Sequence, residues 1–141
     1  MKAFLFIFIY SLYMLHAYNQ TKTEQQQSKK TATAMNISML TNTVVKKAID
    51  ALQKGSTTDW FALFADDALL FDDGNKMNFK SFFNKALGHE RFTSIDKVEN
   101  NGLTVYGKFH SDQWGDFRTY FKFQINTEGK INRLDIGQAN D

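Results

Sequence analysis

The sequence predicts an α+β domain over residues 42–141, with helices first and an antiparallel sheet after them. Three observations predict it. Apolar residues recur at helical spacing in 43–54 and again after Asn78. Beyond Gly88 the period changes to two, as in strands with one buried face. The joins Asn100-Asn101-Gly102, 111–115 and 126–129 carry the Asn, Asp, Ser and Gly residues that tight hairpins need. Helices set apart from hairpin-linked strands can cover only one sheet face, which defines the class.

Asn42 or Thr43 caps the first helix, in which Val45, Ala48, Ile49 and Leu52 form one stripe and Gly55 follows as the stop. Thr58 is a second N-cap, with Asp59 in the first turn where the helix dipole favours a carboxylate. Trp60, Phe61, Leu63 and Phe64 then make a short apolar helix ending near Asp66. Residues 68–71 read as a strand closed by the turn Asp72-Asp73-Gly74-Asn75. Asn78 caps a third helix whose face carries Phe79, Phe82, Phe83, Ala86 and Leu87, and Gly88 ends it. Strands are predicted near 92–99, 103–110, 116–126 and 130–138. In the third of these Phe117, Thr119, Phe121, Phe123 and Ile125 share a face, opposite Arg118, Tyr120, Lys122 and Gln124.

Ahead of the domain, residues 1–17 combine Lys2, an apolar run through Leu15 and the small Ala17, which reads as a secretory signal peptide. The run is too short for a bilayer-spanning helix, which takes about 20 residues, so membrane contact is expected only during export. Residues 18–41 are mostly Thr, Gln, Lys, Ser and Ala and read as a disordered polar spacer. A periplasmic or secreted protein is expected. The formal charge of +2 comes from these segments, because residues 36–141 hold 13 basic and 14 acidic side chains. The domain thus lacks the basic excess of a nucleic-acid binder. With no Cys and two widely spaced histidines in the domain, no metal site or other cofactor is expected. No phosphate-cradling glycine loop or nucleophile elbow is present.

The same 36–141 segment keeps 15 of the 21 aromatic residues, enough either to line a cavity or to fill it. Polar candidates among them are few. Asp72 and Asp73 point to opposite faces of an extended chain, so only one can enter a pocket. His110 stands near Tyr106, Trp114 and Asp112 at a predicted strand end, exposed or acting as a base with Tyr106 or Tyr120. Arg133 and Asp135 share a strand face, as an ion pair or as a grip on a ligand carboxylate or carbonyl. His89 follows a helix C-terminus, where a cation complements the dipole.

The stretches ALQKGSTTDWFALFADDALLFDDG (51–74) and EGKINRLDIG (128–137) resemble the nuclear transport factor 2 (NTF2) superfamily, in its SnoaL-like and ketosteroid-isomerase-like branch. The resemblance covers about residues 42–138. It implies a cone in which three N-terminal helices pack on a curved antiparallel sheet around a deep apolar pocket. The expected pocket residues are Trp60, Phe64, Phe82, Phe83, Tyr106, Phe109, Trp114, Tyr120 and Phe121, joined by Arg133 and Asp135. Asp72 matches the position of the isomerases' proton-shuttling base. Their two oxyanion donors match Ala48 and Phe121, which cannot donate, so ketosteroid isomerisation itself is not expected. Three functions follow: an exported protein binding a small apolar or amphipathic molecule, a proton-transfer enzyme with Asp72 as base and Tyr106, His110 or Tyr120 helping, or an interaction module. The resemblance also implies a homodimer through the sheet.

Overall fold

A computed structural model describes residues 37–140. The leader and most of the spacer lie outside them. The folded body starts ahead of residue 42, because Leu40 is already buried in the core.

Helix α1 (Thr43–Lys54) begins where Asn42 accepts hydrogen bonds from the Val44 and Val45 amides and ends at Gly55 in the left-handed conformation. Val45, Ala48, Ile49 and Leu52 are fully buried, as their spacing predicts. Helix α2 (Thr57–Ala62) starts one residue before Thr58, since Ser56 is the cap and its hydroxyl accepts from the Asp59 amide at 3.2 Å. It also ends sooner than expected, and Phe64 opens strand β1 (Phe64–Asp72) instead. Asp73 and Gly74, both at positive φ, turn the chain back into β2 (Asn75–Met77), a short strand that follows the turn predicted at 72–75. Positive φ at both central turn positions matches the right-handed twist of a hairpin. Helix α3 (Phe79–Ala86) is capped by Asn78, which accepts from the Ser81 amide at 2.9 Å.

The remaining strands are β3 (Glu90–Glu99), β4 (Thr104–Ser111), β5 (Gly115–Ile125) and β6 (Ile131–Gln138). Six strands form one sheet in the order β2-β1-β6-β5-β4-β3. The β3 to β6 meander is antiparallel as predicted, but β1 lies parallel to β6. That one parallel pair has a topological cause: a chain that enters the sheet through β1, returns through α3 and runs the meander back toward it arrives in the same direction.

Curvature has a local cause. Register shifts in β3 between Phe92 and Ser94 and between Ile95 and Lys97 put extra residues opposite β4, and bulges bend the strand that carries them. At the bend Ser94 presses so closely on Gly107 that a β-carbon there would overlap the Ser94 carbonyl oxygen. The bulge also leaves Phe92 backbone groups to Gln53 of α1, whose amide accepts from the Phe92 N–H and donates to its carbonyl, both at 2.8 Å. One side chain thereby ties α1 to the concave face of the sheet.

Rings fill the space between. Trp60 stands 4.8 Å from Phe64 and 4.5 Å from Phe83, and Phe79 meets Phe64 at 4.5 Å. Across the sheet Phe121 meets Phe92 at 5.0 Å and Phe109 at 5.6 Å. These separations lie in the range where ring pairs attract beyond the area they bury.

Candidate functional site

Packing between the helices and the sheet is incomplete at one end. A cavity of about 1040 Å³ opens between α3, the end of α1, and the ends of β1, β4 and β6. Leu52, Phe83, Phe109 and Phe121, all nearly inaccessible to solvent, form its inner wall. Its rim carries polar groups, Asn78 and Ser81 at the start of α3, Gln113 on the β4–β5 hairpin and Gln138 at the end of β6, beside the apolar Trp114 of the same hairpin. Trp114 is 72% exposed, the most open large apolar side chain among the described residues.

Of the residues expected at the site, the structure brings Asp72, Phe82, Phe83, Phe109, Trp114 and Phe121 to this cavity. Trp60 and Phe64 belong to the core instead, because the short α2 and the start of β1 lie away from the open end. Tyr106 and Tyr120 face each other across β4 and β5 on the other sheet face, each under a lysine: Lys97 at 5.5 Å and Lys122 at 4.9 Å. Strand alternation puts them there, since their neighbours Val105 and Phe121 are turned inward. Arg133 and Asp135 form a two-pronged ion pair at 2.8 and 3.0 Å, and the guanidinium lies 4.1 Å from the Phe71 ring. His110 also sits outside the cavity, behind its rim. Its Nδ1 meets Asp116 at 2.6 Å and its Nε2 meets Asp112 at 3.1 Å. Asp112 in turn meets His89 at 3.0 Å, so the hairpin is clasped to the end of α3. The Asp116 and Asp112 carboxylates hold the His110 pKa above the ordinary imidazole value.

Glu90 is the site residue that sequence reasoning missed. It lines the cavity, half-buried, and accepts a hydrogen bond at 3.0 Å from the buried Ser111 hydroxyl. The same Ser111 oxygen accepts from the Gln113 and Trp114 amides at 3.3 and 3.2 Å, which shapes the hairpin at the rim. A signal existed: Glu90 and Phe92 are two apart, and extending the strand two residues forward puts Glu90 on the inward face of Phe92. Burial pushes the Asp72 carboxyl up, and Asp73 adds to it. Burial likewise raises Glu90, opposed by the Ser111 hydrogen bond and reinforced by Asp72 and Asp112. Desolvation disfavours the charged form of each.

Ala48 is sealed in the core and Phe121 presents a ring to the cavity, so neither oxyanion position of the isomerases carries a donor. Thr119 also lines the cavity, but its hydroxyl already donates to the Gly137 carbonyl at 2.7 Å. Among the described residues no three His, Cys, Asp or Glu side chains come together as a metal set.

The architecture of three helices and a curved, mostly antiparallel sheet around this cavity is the NTF2-like fold, shared with solved structures of low sequence identity. An NTF2-like protein of unknown function from Cytophaga hutchinsonii superposes with a TM-score of 0.56 at 11% identity, over 68% of this chain and 87% of that one. A protein from Sinorhizobium meliloti described as a candidate polyketide cyclase gives 0.57 at 20% identity, over 67% and 94%. One from Kribbella flavida described as a candidate ketosteroid isomerase gives 0.57 at 12%, over 72% and 79%. At these identities the likeness is one of fold. No protein-family model matches the sequence, and no curated protein matches it.

Proposed function

We propose that this domain is an exported binding protein that takes a small, largely apolar or amphipathic molecule into the open end of the cone. The observation that carries the proposal is the cavity of about 1040 Å³, whose water-accessible apolar lining is the half-buried Phe82 and Phe117 and the exposed Met77 and Trp114. Its size is at the upper end of small-molecule pockets, which are roughly 300–1,000 Å³. These rings and the Met77 side chain gain free energy when an apolar ligand displaces the water against them. The polar rim orients the ligand's other end.

Native mass spectrometry of the protein purified from its own host tests this, with a bound small molecule expected that denaturation releases. A bare protein mass, combined with no uptake of an environment-sensitive apolar dye, would refute it. The leader supports export, and the uncovered sheet face around Tyr106 and Tyr120 supports pairing of two copies there. N-terminal sequencing of the mature protein and its mass in solution check these two points.

A second reading has its own support. Asp72 is a half-buried carboxylate on the cavity wall with its pKa raised toward the range of a general base. In that reading it takes a proton from a carbon next to a ligand carbonyl. Asp72→Asn should then slow deuterium exchange at that carbon, followed by NMR, by about 10²-fold or more; an unchanged rate removes Asp72 as base.

A further inference from the structure

Asp72 ends β1 and Glu90 begins β3, and four strand-to-strand steps separate those strands in the sheet order. At about 4.8 Å per step a flat sheet would hold them roughly 19 Å apart, beyond the distance at which salt screens charges. Here both line one cavity, and the Asp72 charge is felt at Glu90. Curvature has folded the two sheet flanks toward each other until their carboxylates share one space.

That pair has no cation of its own. Among the described residues the Asp72 carboxylate has no hydrogen-bond or ion-pair partner, and Glu90 has only the Ser111 hydroxyl. Asp112 and Asp116 differ, being engaged by His89 and His110. Asp73 turns to the Gln138 amide at 3.1 Å. The basic groups on the rim are Lys85 and His89, the second already bonded to Asp112. Half-buried carboxylates without a partner are unfavourable unless something positive joins them. Beside them stand the rings of Phe82, Phe109, Phe117 and Phe121, whose faces attract cations.

We propose that the cavity selects a cationic amphiphile, with an ammonium head between Asp72 and Glu90 and an apolar body against Phe82 and Phe117. This rests on the binding function proposed above and names its ligand class. Bringing a cation to the pair offsets the mutual repulsion of the carboxylates, whereas an anionic head adds to it. Asp73 at the rim biases entry the same way and Lys85 opposes it, while Asp112 and Asp116 are paired with His89 and His110.

Octyltrimethylammonium, 1-octanol and octanoate share one apolar chain and differ in head charge, so titration calorimetry with the three separates charge from apolar binding. The cation is expected to bind about tenfold or more tightly than the alcohol, a difference of about 1.4 kcal/mol, with octanoate weakest. In Asp72→Asn/Glu90→Gln the advantage of the cation over the alcohol, measured within the variant itself, should vanish. The quaternary head keeps its charge at all pH values. Its affinity should therefore weaken as pH falls through the raised carboxyl pKa values, where protonation removes the pair's charge. Alcohol binding as tight as the cation, or octanoate binding tighter, overturns the charge assignment and leaves the binding function standing. No binding of any of the three overturns both.

Discussion

Replacing Phe83 and Phe82 separately by Ala separates packing from the cavity. Phe83 is 1% exposed and touches three rings, at 4.5 Å to Trp60, 5.3 Å to Phe79 and 5.1 Å to Phe82. Burying a Phe contributes about 1.5–3 kcal/mol, and its ring contacts add about 0.5–1.5 kcal/mol each beyond that area. Phe83→Ala should therefore cost the roughly 3–5 kcal/mol seen for core Phe truncations. For a domain of about 100 residues, each kcal/mol shifts Tm by about 4–8 °C, so a drop of roughly 12–40 °C is expected by circular dichroism. Phe82 is only half-buried on the rim side of the same helix, and its loss should cost about 1 kcal/mol. Uptake of an apolar dye should nevertheless weaken in Phe82→Ala, because that ring faces the ligand space. Equal Tm values for the two variants, or a Phe83→Ala drop of only a few degrees, would refute the placing of Phe83 in the sealed packing behind the cavity and of Phe82 on its open side.

Two further outcomes test the frame and the rim. Gly107→Ala should bring the protein into inclusion bodies or lower its Tm by well over 10 °C, since the new methyl meets the Ser94 carbonyl, which the bulge of β3 holds in place; a soluble variant of unchanged Tm would show that the bulge yields. His110 faces Asp116, Asp112 and the Arg91 charge, and the two aspartates outweigh the arginine in raising its pKa. Its contribution to stability is fully present below the unfolded imidazole value of about 6.5 and is lost as pH rises through the higher folded value. His110→Gln should flatten the fall in Tm across that window, and an NMR titration that places the His110 pKa at or below the ordinary value refutes the clasp.

Much of the frame was legible because its signals are local. Asn42, Gly55 and Asn78 mark helix ends by their own side-chain or backbone chemistry, and the β3 to β6 meander follows from period-two alternation and hairpin turns. The start of α2 was misread because Ser56 and Thr58 carry equivalent capping hydroxyls, and only Ser56 has the Asp59 amide within reach. The β2 strand was lost because three exposed residues, Asn75, Lys76 and Met77, have no apolar alternation to show. Within the site, helical and strand periods turn Phe82, Phe83, Phe109 and Phe121 toward the cavity, whereas Trp60 and Phe64, apolar by the same patterns, lie in the core.

Which residues turn inward is encoded locally, because apolar period is a property of each segment alone. That period does not determine what each inward face meets. The parallel pairing of β1 with β6 joins segments about 60 residues apart, and no local pattern encodes a partner at that distance. Curvature set by the bulges in β3 and the close approach at Gly107 then decides where the helices stop filling the cone. That same bend, summed over four strand spacings, carries Glu90 to Asp72, so a site of two carboxylates exists only in the folded chain.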